Sequence, residues 1–584
     1  MAVNEVFKEE VGIHFHGEKT SFRVWAPNAK SVSISGDFND WAEIPLESEN
    51  DGYWHAELED LEPGAKYKYI IYTASGEKLF RNDPRGLQIT DSSDGTSIVP
   101  DMQFDWEKDS YVLPEKEKIV IYEMHIGTFN RIDRATTGTF FEAIEKLDYL
   151  QNLGINVVEL LPVTSMAQGY GWGYAPNYIY SVEGSYGGRR GLMEFVKACH
   201  KRGTGVILDT VYNHFDGDYL WQFDGWSENN GGGIYFYNDE RGVTPWGARP
   251  DYGRPEVRQY VLDNIKMWLT DFHVDGIRMD STIYMRNMMG YNNDPAHDIA
   301  DGWRLMQGVN ELTHSIDSGA LTIAEDCSAN DYITKQEGDG GAGFDAQWEL
   351  SLPHSLRDVL EGKPWGIDDL CYSLFSRFNS DYMQKVCFAD SHDSAANGGE
   401  RILEQTHFGK ENDADARRIS ILVSAVALTA PGMPMILGGQ EFMQGGTFNE
   451  WKMLEWENVE RFAGVVQAHS DLVDLRTNVA GGTGGLMGGE IEVFHKNYDN
   501  RVLGYRRFSQ SGEDVLVLIN FSDENFDSYD VQLPIEGDWK VRFNSSAKKY
   551  SEDFAEAKIN DLVTGNDKMV NIELRERMVL ILSR

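Results

Sequence analysis

Between Ile119 and Leu437 the chain carries eight short apolar runs, separated by stretches of helical periodicity. They centre on Val120-Ile121, Val157-Val158, Ile207-Leu208, Ile277-Arg278, Thr322-Ile323, Phe344-Asp345, Cys387-Phe388 and Ile436-Leu437. Short strands alternating with amphipathic helices build βα units on a parallel sheet, and eight of them predict an α/β fold closed into a (β/α)8 TIM barrel. The intervening helices carry their own signals. Thr139 with Glu142 three residues on is a capping-box pair, ahead of Phe141, Ile144, Leu147 and Leu150 near one face. A second helix places Leu192, Phe195, Val196 and Cys199 on one face and stops at Gly203. A third opens with Pro255 and buries Val257, Tyr260, Val261, Ile265 and Trp268.

The flanks read differently. Ser21-Phe22-Arg23-Val24-Trp25, Val32-Ser33-Ile34-Ser35 and Tyr67-Lys68-Tyr69-Ile70 are strand-like and are divided by Pro27-Asn28, Gly36-Asp37 and Pro63-Gly64 turns. Alternating strands return after the Gly-rich stretch Gly481 to Gly489, as in Val515 to Ile519 and Met578 to Leu582. The expected domains are an N-terminal β-sandwich (1–112), the barrel (113–480) and a C-terminal β-sandwich (481–584). Residues 215–246 are too many for a simple βα loop and predict a small excursion over the barrel mouth. At roughly 150 residues per domain, 584 residues accommodate this division.

Composition narrows the partners. The net charge of −41 repels nucleic acid and anionic membranes and tolerates a neutral polysaccharide. Aromatics reach 12%, including 15 Trp, and flat sugar faces stack on such rings, although most are expected in the core. No apolar run approaches the ~18 residues of a membrane span. The start, Met1 to Glu10, has no apolar secretory region, which points to the cytoplasm. Cys199, Cys327, Cys371 and Cys387 form no CxxC pair and read as free thiols of a reducing compartment. A monomer is expected.

Barrel enzymes carry their chemistry at the C-terminal ends of strands. Here those ends read Asp209-Thr210-Val211-Tyr212-Asn213-His214, Gly276-Ile277-Arg278-Met279-Asp280, Ile323-Ala324-Glu325-Asp326 and Ser391-His392-Asp393. Any one of them is an ordinary cap or loop. Four in chain order, each after an apolar strand, suit glycoside cleavage, whose oxocarbenium-like transition state needs carboxylates around the anomeric carbon. Asp280 suits the nucleophile, because Arg278 lies two residues earlier on the same strand face. Glu325 suits the proton donor, and Asp393 suits a third carboxylate that holds hydroxyls. His214 and His392 offer ring N–H donors that could bind sugar hydroxyls. Their spacing fits no common zinc motif, and neither metal nor cofactor is expected.

These segments resemble the four sequence regions of the α-amylase family (glycoside hydrolase family 13). The likeness runs from about Ile121 to Glu441 and takes in Gly432-Met433-Pro434 and Gly439-Gln440-Glu441. The resemblance implies Asp280 as nucleophile, Glu325 as acid/base and Asp393 as transition-state stabiliser. It also implies that Asp209, His214, Arg278 and His392 line the sugar site, and that Tyr174, in Gly171-Trp172-Gly173-Tyr174, is the aromatic platform. Val24 to Ala29 and Gly36 to Trp41 resemble the glucan-binding module that precedes the barrel in branching enzymes, debranching enzymes and maltooligosyl-trehalose trehalohydrolases. Tyr122 to Phe129 resembles the first barrel strand of branching enzymes and trehalohydrolases. The subgroup implied is the 1,4-α-glucan branching enzymes, with glycogen, amylose or maltooligosaccharide as substrate. An amylase-like or trehalose-releasing hydrolase is the alternative. Ser394 stands where branching enzymes commonly have Glu. Ser281 and Thr282 replace a small apolar pair. Asn213 is amylase-like, and in amylases it helps bind calcium.

Overall fold

The computed structural model describes residues 10–17, 19–90, 95–132, 136–166, 171–216, 219–292, 294–397, 399–407, 409–410, 412–509 and 512–584. The polar start that bears on secretion, residues 1–9, lies outside them.

Eight parallel strands close on themselves: Ile121–Met124, Val157–Leu160, Gly205–Thr210, Gly276–Met279, Leu321–Ala324, Ala346–Trp348, Lys385–Phe388 and Met433–Leu437. Closure is made by the first strand pairing with the eighth, Ile121 opposite Met435. The strands are buried on both faces, as expected for a parallel sheet covered by helices. Seven runs lie where the sequence puts them. The sixth strand begins two residues later than Phe344-Asp345, because Asp345 is spent below it, accepting hydrogen bonds from Thr322 N (2.9 Å) and Lys116 Nζ (2.7 Å).

The helices over Gly188–His200 and Pro255–Asp271 bury the predicted faces. The helix capped by Thr139 does form its capping box, yet Phe141 points outward and Phe140 is buried instead. That helix ends at Ile144 and a new one starts at Leu147, so one continuous periodicity misplaces the inner face.

The N-terminal strands form two antiparallel sheets packed around Phe22, Val24, Val32, Ile34 and Tyr69. The C-terminal region forms a six-stranded and a two-stranded sheet around Leu516, Leu518, Val531, Trp539 and Ile572. The excursion after the third strand has a core of Leu220, Phe223, Ile234, Tyr235, Phe236 and Tyr237. The N-terminal module braces it: Asn28 donates to Asp224 from its backbone N–H (2.8 Å), Arg81 donates to the carbonyl of Phe223 (2.9 Å), and Trp25 meets Tyr235 edge-on. No helix among the described residues is long and apolar enough to cross a membrane. All four cysteines are free thiols.

Candidate active site

A pocket of about 520 Å³ opens over the C-terminal ends of the strands and is lined by residues of the loops after the second to fifth strands and the seventh. Tyr174, His214, Asp280, Glu325, His392 and Asp393 all line it, as do Trp172, Trp246, Ser281, Tyr284, Cys327 and Asn397. Asp209 and Arg278 do not line it; they lie beneath it, and Arg278 is 0% exposed.

Arg278 organises one half of the site. One guanidinium nitrogen contacts Asp209 Oδ2 (2.6 Å) and Asp280 Oδ1 (3.0 Å), while the other contacts Glu325 Oε2 (2.9 Å). A planar fork can hold several carboxylates at set angles, which a flexible ammonium does less well. Asp280 takes a second bond on Oδ2 from Asn213 Nδ2 (2.7 Å). The Asn213 amide therefore anchors Asp280, and no group of His, Cys, Asp and Glu suited to a metal occurs among the described residues. Tyr174 donates to Asp209, and its ring lies parallel to His392 at 5.1 Å. Burial pushes Asp209 up to about 7 against the pull of Arg278.

Two residues just after the strand ends adopt left-handed backbone: Ser281 (φ 42°) and Cys327 (φ 61°). For non-glycine residues such backbone is held by its surroundings and clusters at functional sites. At Ser281 it aims the N–H at Glu325 Oε2 (2.9 Å). Thr282 then ties the fourth-strand loop to the fifth, its N–H donating to the Glu325 carbonyl (2.8 Å) and its hydroxyl to Asp326 Oδ2 (3.0 Å). The polar pair that departs from the family pattern thus fastens two loops together. Glu325 Oε1 is left with a weak donor, the Cys327 thiol at 3.4 Å. Burial pushes Glu325 up to about 8, with Arg278 opposing and Asp280 and Asp393 adding to the rise.

The other half centres on His392 and the more open Asp393, whose side chain is 39% exposed. Ser394 departs from the family pattern for a local reason: Ser391 N–H donates to its hydroxyl (2.8 Å), and its own N–H donates to Ser391 Oγ (3.2 Å). This closes the turn that presents Asp393, and Asn397 Nδ2 donates to Asp393 Oδ1 (3.1 Å).

Of the excursion's aromatics, Trp246 reaches the pocket, 4.9 Å from the Tyr284 ring and 54% exposed. Trp221 packs on Phe236, and Arg254 covers Trp226. Trp172 was legible only as part of the Gly-Trp-Gly-Tyr motif, and no sequence signal marked Trp246 or Cys327.

Known proteins match along most of the chain. The family described as carbohydrate-binding module 48 (isoamylase N-terminal domain) matches residues 10–86. The alpha amylase catalytic domain matches 124–244 and 247–477, and the alpha amylase C-terminal all-beta domain matches 493–584. A protein named 1,4-alpha-glucan branching enzyme GlgB from Fusobacterium nucleatum subsp. nucleatum is 30% identical, over 93% of this chain and 90% of its own. Its namesake from Oceanobacillus iheyensis is 27% identical, over 91% and 86%. Among solved structures, a pullulanase from Bacillus acidopullulyticus shares the fold with a TM-score of 0.77 at 19% identity, covering 98% of this chain and 75% of that one.

Proposed function

Because the chain belongs to the α-amylase family, we propose that it is a 1,4-α-glucan branching enzyme. It cuts an α-1,4 bond with retention and joins the freed segment to another chain through an α-1,6 bond. One observation carries this subgroup: the relatives bearing that name align with nearly the full chain, including both flanking β regions.

In this reading the Asp280 carboxylate attacks the anomeric carbon while the bond from that carbon to the glycosidic oxygen breaks. Glu325 gives the departing oxygen its proton, from Oε1, since Oε2 is already held by Ser281 and Arg278. A carboxyl raised to about 8 is protonated at neutral pH, as a general acid must be. A single guanidinium touching both carboxyls is compatible with the roughly 5–5.5 Å separation of retaining enzymes. In the second step a 6-hydroxyl of another chain attacks the same carbon, the Asp280 ester breaks, and Glu325 takes back a proton. Asp393 holds sugar hydroxyls, while Asp209, Arg278, His214, Tyr174 and His392 shape the subsite.

Water competes for the intermediate, so transfer needs an acceptor chain bound beside it. Trp246 and Tyr284, at the pocket edge, are the surfaces we assign to that chain. The module near residues 1–112 binds glucan, supported by the match over 10–86. A reducing compartment is in keeping with four free thiols. The test is amylose incubated with the protein and followed by proton NMR. New α-1,6 signals exceeding new reducing ends are expected. Reducing ends with essentially no α-1,6 linkages would replace the branching reading with a hydrolase.

A further inference from the structure

Glu123 sits in the first barrel strand, 1% exposed, and takes no part in the chemistry above. Its two carboxylate oxygens both face one residue, 269 positions away in the chain: His392 Nδ1 approaches Oε1 at 2.6 Å, and the His392 backbone N–H donates to Oε2 at 2.9 Å. The other ring nitrogen, Nε2, lies 3.5 Å from Asp393 Oδ1. Tyr174 lies flat against the ring, and Trp172 and Trp348 meet it edge-on.

We propose that Glu123 is a positioning residue that acts through His392: it clasps the ring and the backbone together, and it keeps the imidazole doubly protonated with Nε2 turned toward Asp393 and the pocket.

The argument is geometric first. A nitrogen 2.6 Å from a carboxylate oxygen carries its proton, so Nδ1 is the donor. The neutral tautomer with its proton there would then turn a lone pair on Nε2 toward Asp393. Protonating Nε2 removes that conflict and puts a carboxylate beside each N–H. The surrounding charges agree. Burial opposes the charged ring, as does Arg278 of the fourth strand, yet Asp393 and Glu123 overcome both and bring His392 up to about 9. Glu159 of the second strand is pushed up to about 8, first by burial, and so adds little negative charge at neutral pH. His125, at the end of the first strand, is pushed down to about 4 by burial and adds no competing cation. The doubly protonated ring donates a charge-assisted hydrogen bond to a sugar hydroxyl, stronger than a neutral imidazole's. It also offsets the negative charge that Asp280, Glu325 and Asp393 bring to one pocket.

The substitution Glu123→Gln separates this role from a purely structural one. The amide keeps the volume but places an NH2 group where one of the two donors must find an acceptor. The His392 ring is titrated by NMR in protein carrying labelled histidine, its signal assigned by loss in His392→Gln. Alongside, kcat/KM on α-maltosyl fluoride is followed against pH. That leaving group needs no proton, so the profile is relieved of the Glu325 limb. In Glu123→Gln the ring is expected to titrate at least about one pH unit lower, with the alkaline limb of the fluoride profile moving to the same extent. Glu123→Asp is expected to recover part of both shifts. A folded Glu123→Gln protein with an unmoved ring titration, or with activity reduced equally at every pH, overturns the proposal. Should that variant fail to fold, the unsubstituted protein decides: a His392 ring found neutral near pH 8 overturns it, and a charged ring supports it. The activity arm rests on the proposed glucan cleavage and the ring titration does not, so a charged ring in a protein inert toward glucan and fluoride would sink that function alone.

Discussion

The two halves of the pocket are organised by different cations. On one side Arg278 grips Asp209, Asp280 and Glu325 through a fork that is wholly buried. On the other, His392 stands between Glu123 and Asp393, and Asp393 is partly open to solvent. A guanidinium stays charged over the working pH range, whereas an imidazole loses its charge when its proton leaves. The Arg278 half is therefore a fixed frame that places the two groups we assign to nucleophile and proton donor. The His392 half is a frame whose strength depends on protons, and it holds the group assigned to hydroxyl binding.

The largest expected effect is on the Arg278 side. Asp280→Asn should fold and keep the Asn213 contact, yet lose turnover on the order of 10³-fold or more, because no ester can form. Near-normal turnover in the folded variant would remove Asp280 from the nucleophile's role.

Next comes Glu325→Gln, expected to lose about 10²–10⁴-fold on glucan and much less on a glycosyl fluoride. Since Glu325 must hold a proton to act, the unsubstituted enzyme should lose glucan cleavage as pH rises through about 8. Equal losses on both substrates would argue that Glu325 is not the proton donor.

The comparison itself is put at risk by Arg278→Met. This leaves Asp209, Asp280 and Glu325 without their common cation, and breaking buried ion pairs costs about 3–5 kcal/mol. Chemical denaturation should show that loss, and His392→Gln should show a smaller one. If the order were reversed, the account of a fixed and a titrating half would fail.

A second histidine clasp tests the titrating principle away from the pocket. The segment leading into the barrel is fastened where His200 bridges Asp109 (2.6 Å) and Asp275 (2.9 Å). Burial lowers the His200 value, but the hydrogen bonds and charges of the two aspartates outweigh it and the net shift is upward. A group with a raised folded value stabilises fully below its unfolded pKa, about 6.5, and that contribution fades as pH rises through the folded value. His200→Gln should therefore lower Tm more at pH 6 than at alkaline pH. A Tm difference that does not change with pH would contradict the charged clasp.

The smallest effect on stability is expected at the pocket mouth, outside both halves. Trp246→Ala should change stability by no more than about 0.5 kcal/mol, as for other exposed side chains. It should nonetheless shift products on amylose from α-1,6 linkages toward reducing ends. Trp221→Ala and Trp226→Ala, facing the excursion's own packing, should not. An unchanged ratio in Trp246→Ala would remove that residue from the acceptor surface.

What the sequence determined by itself is whatever a few neighbouring residues encode. Apolar runs of strand length with helical stretches between them specify the barrel, because both periodicities are local. A polar cluster closing four of the strands marks where Asp280, Glu325 and Asp393 emerge, since strand ends share one face of such a barrel. Even the departures Ser281, Thr282 and Ser394 were visible, although what they do was not. Only the tertiary structure decided which groups meet. Arg278 was legible as a partner of Asp280, two residues away, but its contacts with Asp209 and Glu325 arise from the pairing of neighbouring strands, and the clasp of His392 by Glu123, across 269 positions, from the closing of the barrel. The excursion shows the same limit: its aromatic residues look alike in the sequence, and packing alone buried Phe236 and Tyr235 and left Trp246 at the pocket. The physical reason is that hydrogen bonds, ion pairs and desolvation act over a few ångströms of space. Separation along the chain limits them only through the fold that removes it.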